Sequence, residues 1–380
     1  LDTSGVRQTA AVTVQAPAAE VDCFAAAPGR AGDVKGAWLA NLSDLNVASQ
    51  KGLVERFDST IGAATVVMPF GGKHQATPSE GLVAKIPVTE GDTTTGTIMT
   101  YGYNPRIGKW SPFHGALFAV VEAVAKVAAL GGDWRHTRLS LQEYFEKLGK
   151  DPVRWGKPFS ALLGAYRAQK ELGVPAIGGK DSMSGTFMEL HVPPTLVAFA
   201  LCPVDVRRAV SQEFKQSGSR IVLLPSRRGA DGLPDFAVLR ANFAKLAELV
   251  GKGQVLASAT VRAGGVAAAA SKMAFGNRIG MVFAGEADTD RLFAADYGSV
   301  VLEMPASVDL AAAFGEVGYR ELGYTTERAS ITVNGVEIGL EEAVEAWEKP
   351  LEGIFPTRAE CEDTPPPAVR HERRSSRRPA

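Results

Sequence analysis

The sequence predicts the α/β class, organised as two domains, on three observations. Short apolar runs rich in β-branched side chains alternate with longer amphipathic runs, the mark of strands interleaved with helices. Glycine or proline stands at most of the boundaries between them. The chain, at 380 residues, also exceeds the roughly 250–300 residues at which a single hydrophobic core stops growing.

Taken in order, residues 1–36 mix the alternating run AVTVQA with small residues and read as a linker or the end of a preceding domain. From Ala37 the runs AWLANL, ATVVMPF, GLVAKIPV and GTIMTYGY read as strands. FHGALFAVVEAVAKVAALGG reads as a helix stopped by Gly131 and Gly132, and PFSALLGAYRAQKELG as a second helix stopped by Gly173. VPAIGG follows as a buried strand, PPTLVAFALCPV as another, and the crossing segment after it sets a domain boundary near Arg207. The second unit, residues 208–348, alternates strands IVLLP, QVLASATV, IGMVFAG and SVVLEMP with four helical runs. Asn334 and Gly335 supply a hairpin turn. Residues 349–380, proline- and arginine-rich, read as a linker and disordered tail.

Composition narrows the function classes. A formal net charge of -1 gives no reason to expect nucleic acid or an acidic membrane as partner. No run approaches the roughly 20 apolar residues that cross a bilayer. The three cysteines are too far apart for a metal knuckle or a disulfide framework, which points to a reducing cytoplasm. The five histidines show no metal-ligand spacing. The start at Leu1, without an initiator methionine or a signal-peptide core, leads us to expect a piece of something longer.

Three stretches carry chemistry. In IGGKDSMSGTF, Gly178 and Gly179 end a strand and place Lys180, Asp181, Ser182 and Ser184 at a sheet edge, where α/β proteins tend to bind ligands. Lysine pairs with phosphate, aspartate holds magnesium, and hydroxyls bond phosphate or amide oxygens. The bland alternative is a polar turn with a local ion pair. In the apolar helix, Glu122 and Lys126 stand four apart on one face, flanked by alanine and valine, so the pair is expected to be partly buried. In ATVRAGGVAAAASKMAFG, Gly264 and Gly265 open a helix as a nucleotide-binding turn does, yet no acid lies between Ala259 and Gly276 to hold a metal. Close helix packing explains two glycines equally well.

GGKDSMSGTF, SPFHGALFAVVEAVAKVAALGGDW, NVASQKGLVERFDSTIGAATVVMPFGGKHQATP and PLEGIFPTRA together resemble the large form of phosphoribosylformylglycinamidine synthase, over roughly residues 1–359. That resemblance implies tandem A-type and B-type domains of the aminoimidazole ribonucleotide synthetase-like fold, repeated twice and followed by a glutaminase domain. This chain looks like the second copy, with 37–207 as the A-type and 208–348 as the B-type domain. The implied activity is ATP-dependent amidation of formylglycinamide ribonucleotide with glutamine-derived ammonia, in purine synthesis. ATP or ADP and Mg2+ are the implied cofactors, and the first half of the synthetase core and the glutaminase domain the implied partners.

The chain departs from the family pattern in ways that predict a half without its own turnover, and no catalytic residue is assigned to it. Where catalytic relatives resemble HDVSDGG, it reads ATVRAGG; where they are histidine-rich, it reads NVASQKGL. Gly102 falls where smaller members carry a metal-binding aspartate, and Lys126 where an asparagine often follows the glutamate. The resemblance makes Gly178, Gly179, Lys180, Ser182, Ser184, Lys126, Gly264 and Gly265 the candidate nucleotide- or substrate-binding residues, and Asp181, Glu122 and Asp92 the candidate metal ligands. Lys126 is then expected to supply fixed charge in place of a cation. Two other readings stay open: a purely structural half holding a nucleotide, and a stand-alone enzyme like aminoimidazole ribonucleotide synthetase.

Overall fold

The computed structural model describes residues 11–17, 23–25, 33–57 and 64–357. Six strands form the first sheet: β1 (Thr65–Val67), β2 (Leu82–Lys85), β3 (Thr95–Gly102), β4 (Arg138–Tyr144), β5 (Ala176–Ser182) and β6 (Thr195–Asp205). They lie in the order β1-β2-β3-β6-β4-β5. Seven form the second: β7 (Arg220–Leu224), β8 (Ala257–Thr260), β9 (Gly280–Phe283), β10 (Val300–Met304), β11 (Arg320–Thr326), β12 (Ser330–Val333) and β13 (Val336–Gly339). Their order is β8-β10-β7-β11-β9-β12-β13. Each sheet is antiparallel apart from one parallel pair, β4 with β5 and β9 with β12, so the architecture is the α+β variant of the predicted class.

The longer helices are α1 (Val34–Leu42), α2 (Pro112–Ala129), α3 (Pro152–Leu172), α4 (Phe236–Gly251), α5 (Gly265–Phe275) and α6 (Leu340–Glu352). Helix α2 forms where the sequence predicts it. Ser111 caps it by accepting from His114 N, Pro112 opens it, and Gly131 at φ +89° turns the chain away. It packs on α3, on β3 and β6 of the first sheet, and on β8 and α4 of the second unit. By length and composition α2 could cross a membrane, which the apolar-run estimate missed, but 89% of it is buried inside the protein. It is a core helix, apolar on every side because every side has a neighbour.

Five local expectations need correction. AWLANL is part of α1, not a strand: Trp38 and Leu42, four apart, both sit on the buried face, and Trp38 Nε1 donates to Ser271 Oγ at 2.9 Å. VPAIGG is not a buried strand: Val174 is buried, but it precedes the strand. Its strand β5 lies at the sheet edge, runs on through Lys180 and Asp181 to Ser182, and is largely solvent-exposed. Strands β4 and β11 were not foreseen, because RLSLQEY and RELGYTT are too polar to stand out as apolar runs. Finally, α6 continues through Pro350 to Glu352, past the expected start of the tail. Proline lacks the N–H that would bond Ala346 O; Ser43 Oγ donates to that carbonyl instead, at 2.9 Å. The tail from 358 onward lies outside the described residues.

The segments interleave. Helix α1 and the residues around Phe70 and Ala76 share a buried cluster with the second sheet and α5, although they precede the first sheet's central strands.

Candidate functional site

Where the two sheets meet, a compact set of charges is buried. Glu122 and Lys126 form an ion pair at 2.7 Å with side chains 5% and 1% exposed. An unpaired ammonium in an alanine- and valine-rich helix would be costly, so it depends on its surroundings for partners. They satisfy it: besides Glu122 Oε1, Lys126 Nζ donates to Tyr101 O at 2.7 Å and stands 4.4 Å from the centre of the Tyr101 ring. The helix reaches that carbonyl because the next residue is glycine. A Cβ on Gly102 would lie 2.0 Å from Ala119 O and 2.9 Å from Ala123 N of α2.

Arg262, from the turn before α5, joins this pair. Its guanidinium is 3.6 Å from Glu122 and 3.7 Å from Glu80. Burial opposes its charge, but Glu80 and Glu122 outweigh that and hold its pKa above the ordinary range. Glu80, itself buried, accepts from Thr260 N at 3.0 Å and from Thr260 Oγ1 at 2.9 Å, one bond to each carboxylate oxygen. Lys272 lines the same narrow crevice as Glu80, Thr260 and Arg262. Burial, and then the charge of Arg262, push its ammonium down to about 7.

The glycine turn is built for packing. Gly264 and Gly265 have φ of +82° and +65°, left-handed values that favour glycine. A Cβ would meet Val47 at 2.8 Å from Gly264 and Leu292 O at 2.2 Å from Gly265. Gly264 also lines a cavity of about 160 Å3, with Asn41, Asp44, Asn104, Arg106 and Tyr297 supplying its polar groups.

The GGKDSMS motif is elsewhere. Strand β5 is three strands from β3, which carries Tyr101, or about 14 Å at a spacing near 4.8 Å. Gly178, Gly179, Lys180, Asp181 and Ser184 are exposed and Ser182 half-buried. Of the glycines only Gly179 is sterically required, its Cβ position lying 2.2 Å from Leu141 O; around Gly178 the space is open. Ser182 and Ser184 share a hydrogen bond of 2.9 Å. Asp181 faces Glu143 across the parallel pair, and burial together with the charge of Asp181 raises the Glu143 carboxyl to about 7.

The three candidate metal ligands are not brought together. Glu122 is held by Lys126 and Arg262, Asp181 stands on the exposed edge strand, and Asp92 pairs with Lys85 at 2.7 Å on the surface. Among the described residues no group of three or more His, Cys, Asp or Glu side chains suits a metal ion. Among the described residues, the three candidates therefore do not assemble a Mg2+ site. Glu80, Arg262, Lys272, Tyr101 and Glu143 were missed in the sequence. For Arg262 the signal was there, since it lies in the stretch read only for its lack of acids; Glu80 lies 180 positions from its partner Thr260 and left none.

No family model matches the chain. It is 25% identical over 376 residues to the phosphoribosylformylglycinamidine synthase subunit PurL of Deinococcus radiodurans, covering 85% of this chain and 47% of that protein. Among solved structures, T. maritima PurL complexed with ADP superposes with a TM-score of 0.62 at 15% identity, over 83% of this chain and 52% of that one. T. maritima PurL complexed with FGAR gives 0.60 at 13% identity, over 88% and 56%. The chain spans about half the length of the relatives it matches. The resemblance read from the motifs is borne out: the chain is similar to PurL over 85% of its own length and has the fold of T. maritima PurL.

Proposed function

We propose that this chain is one half of the synthetase core of phosphoribosylformylglycinamidine synthase, dividing near Arg207 into A-type and B-type domains, and that it completes an active site shared with the other half. The observation that carries this is the contrast between its two charged regions. In the interior cluster the charges pair with one another, only Arg262 reaching partly to solvent, while Lys180, Asp181 and Ser184 are exposed. A polar motif left open on an edge strand suits contact with a ligand held partly by another polypeptide segment.

The outer face of the first sheet supports the pairing. Leu82, Met99 and Leu201 lie side by side on β2, β3 and β6, with Tyr101 and Phe199 in the next row, each between 38% and 48% exposed. An apolar sheet face of this extent, in the fold found, is a surface for another sheet.

In this reading ATP activates the amide oxygen of formylglycinamide ribonucleotide and ammonia from a glutaminase displaces the phosphate. Lys180 contributes a positive charge to phosphate, and the Ser182 and Ser184 hydroxyls donate to oxygens of the same ligand. In the complete enzyme, Lys180→Ala should lower synthetase activity more than tenfold with glutaminase activity retained; unchanged kinetics would remove the motif from the active site.

The reading of this half as a nucleotide holder has one observation in its favour, the cavity beside Gly264. Its volume of about 160 Å3, as bounded by the described residues, is below the roughly 300 Å3 at which small-molecule pockets begin. A shared site is therefore the better supported reading. Mass spectrometry of the purified chain, native and then denatured, separates the two: one adenine nucleotide released per chain would favour the holder.

A further inference from the structure

We infer that the cleft between the two sheets carries its counter-charge within the chain, Lys126 and Arg262 neutralising Glu122 and Glu80, and takes no divalent cation. This stands whether or not the shared active site is correct, because it concerns only groups inside this chain.

A magnesium ion requires near-octahedral oxygen ligands at about 2.0–2.1 Å and gives up its waters reluctantly, so it needs carboxylates with free lone pairs. Both acids in the cleft are already engaged by groups of this chain. Both oxygens of Glu80 already accept hydrogen bonds from Thr260, and Arg262 stands beside them. Glu122 is held at its Oε1 by Lys126 at 2.7 Å and by Arg262 at 3.6 Å. A metal bound at Oε1 of Glu122 would have to displace Lys126, whose side chain is 1% exposed and pairs with no second carboxylate among the described residues.

Two further features act in the same direction. Lys272 lines the crevice with Arg262 and Glu80 and makes no ion pair among the described residues, so below about pH 7, where it is protonated, three cationic side chains surround two acids and repel a dication. Nor can an acid be added at position 102 without moving α2, since Ala119 O occupies the place of its Cβ. The close helix contact and the built-in cations are two parts of one arrangement.

The test uses the whole chain with Mn2+ as the probe, its free concentration read by electron paramagnetic resonance. Wild type should leave the free-ion signal undiminished at equimolar protein. The Lys126→Gln/Arg262→Gln double variant, which bares Glu80 and Glu122, should bind Mn2+ at least tenfold more tightly, and adding Glu122→Gln should abolish the gain. Wild-type binding of one Mn2+ per chain that Glu122→Gln or Glu80→Gln removes would overturn the inference. So would a folded double variant that gains no Mn2+. Binding that survives both acid substitutions belongs to another place and leaves the inference standing. If the double variant does not fold, wild-type melting decides: a Tm unmoved by Mn2+ or EDTA supports the inference, and a rise with Mn2+ that Glu122→Gln cancels overturns it.

Discussion

The cluster around Glu122 and the motif around Lys180 both bring acids and bases together within a few residues, yet they differ in what holds them. Lys126 is fixed by a carboxylate, a carbonyl and an aromatic ring, with Arg262 bracing the carboxylate from the other unit. Lys180 and Asp181 project from an edge strand into solvent, where an ion pair contributes about 0–1 kcal/mol. The comparison teaches that charged residues of similar type serve stability when packing closes over them and remain available to a ligand when it does not.

The sharpest way to break that contrast is at Lys126. Lys126→Met leaves Glu122 buried with only the more distant Arg262, and should cost about 3–5 kcal/mol of unfolding free energy by urea titration. Glu122→Leu combined with Lys126→Met should recover most of that loss, because a buried ion pair can be replaced by apolar side chains at little cost. A double variant no more stable than Lys126→Met would show that the cluster is held by something other than the pair.

Gly102→Ala tests the close approach that brings α2 to Tyr101. With its Cβ 2.0 Å from Ala119 O, the helix must shift, at about 1–3 kcal/mol. Unaltered stability would mean that the contact between α2 and β3 is slack.

Glu143 gives the comparison a pH axis, since it is the acid of the exposed region that is partly buried. Its carboxyl is raised to about 7 by burial and by Asp181, so the folded state binds that proton more tightly than the unfolded state does. The resulting stability is fully present at low pH and is lost as pH rises from the ordinary carboxylate range through about 7. Glu143→Gln should remove this slope and be more stable than wild type at pH 8, on the order of 1–3 kcal/mol, with no such advantage at pH 4. Parallel stability profiles for the two proteins would show that Glu143 is solvated.

The smallest expected effect is that of Lys180→Ala on the chain by itself. An exposed residue without structural partners should change stability by no more than about 0.5 kcal/mol. A loss above 1 kcal/mol in thermal or urea unfolding would make the motif structural and remove the contrast.

Much of the fold was legible. Helices α2, α4 and α5 and strands β3, β6, β7 and β10 follow apolar periodicity and glycine stops directly. The Asn334 and Gly335 turn has the positive φ values its residue types predict, +50° and +75°. Strands β4 and β11 were not legible, because their burial comes from neighbouring strands rather than from their own composition. The candidate site was legible in part. Glu122 and Lys126 could be paired from their spacing, and the absence of acids near Gly264 could be read directly. Arg262 and Glu80 could not be placed, since Glu80 reaches its partners 180 positions away only after both sheets have formed.

The sequence by itself determined the local matters: which runs become helices, that Glu122 and Lys126 share a face, that the turn at Gly264 has no metal-binding acid. Spacing of three or four residues along a helix is a property of the chain alone. Only the tertiary structure decided that Glu122 and Lys126 are sealed with Arg262 and Glu80, and that Lys180 stands open on an edge strand. Burial and distant proximity arise from how the sheets pack around α2, and the same side chains acquire opposite roles according to which side of that packing they fall on.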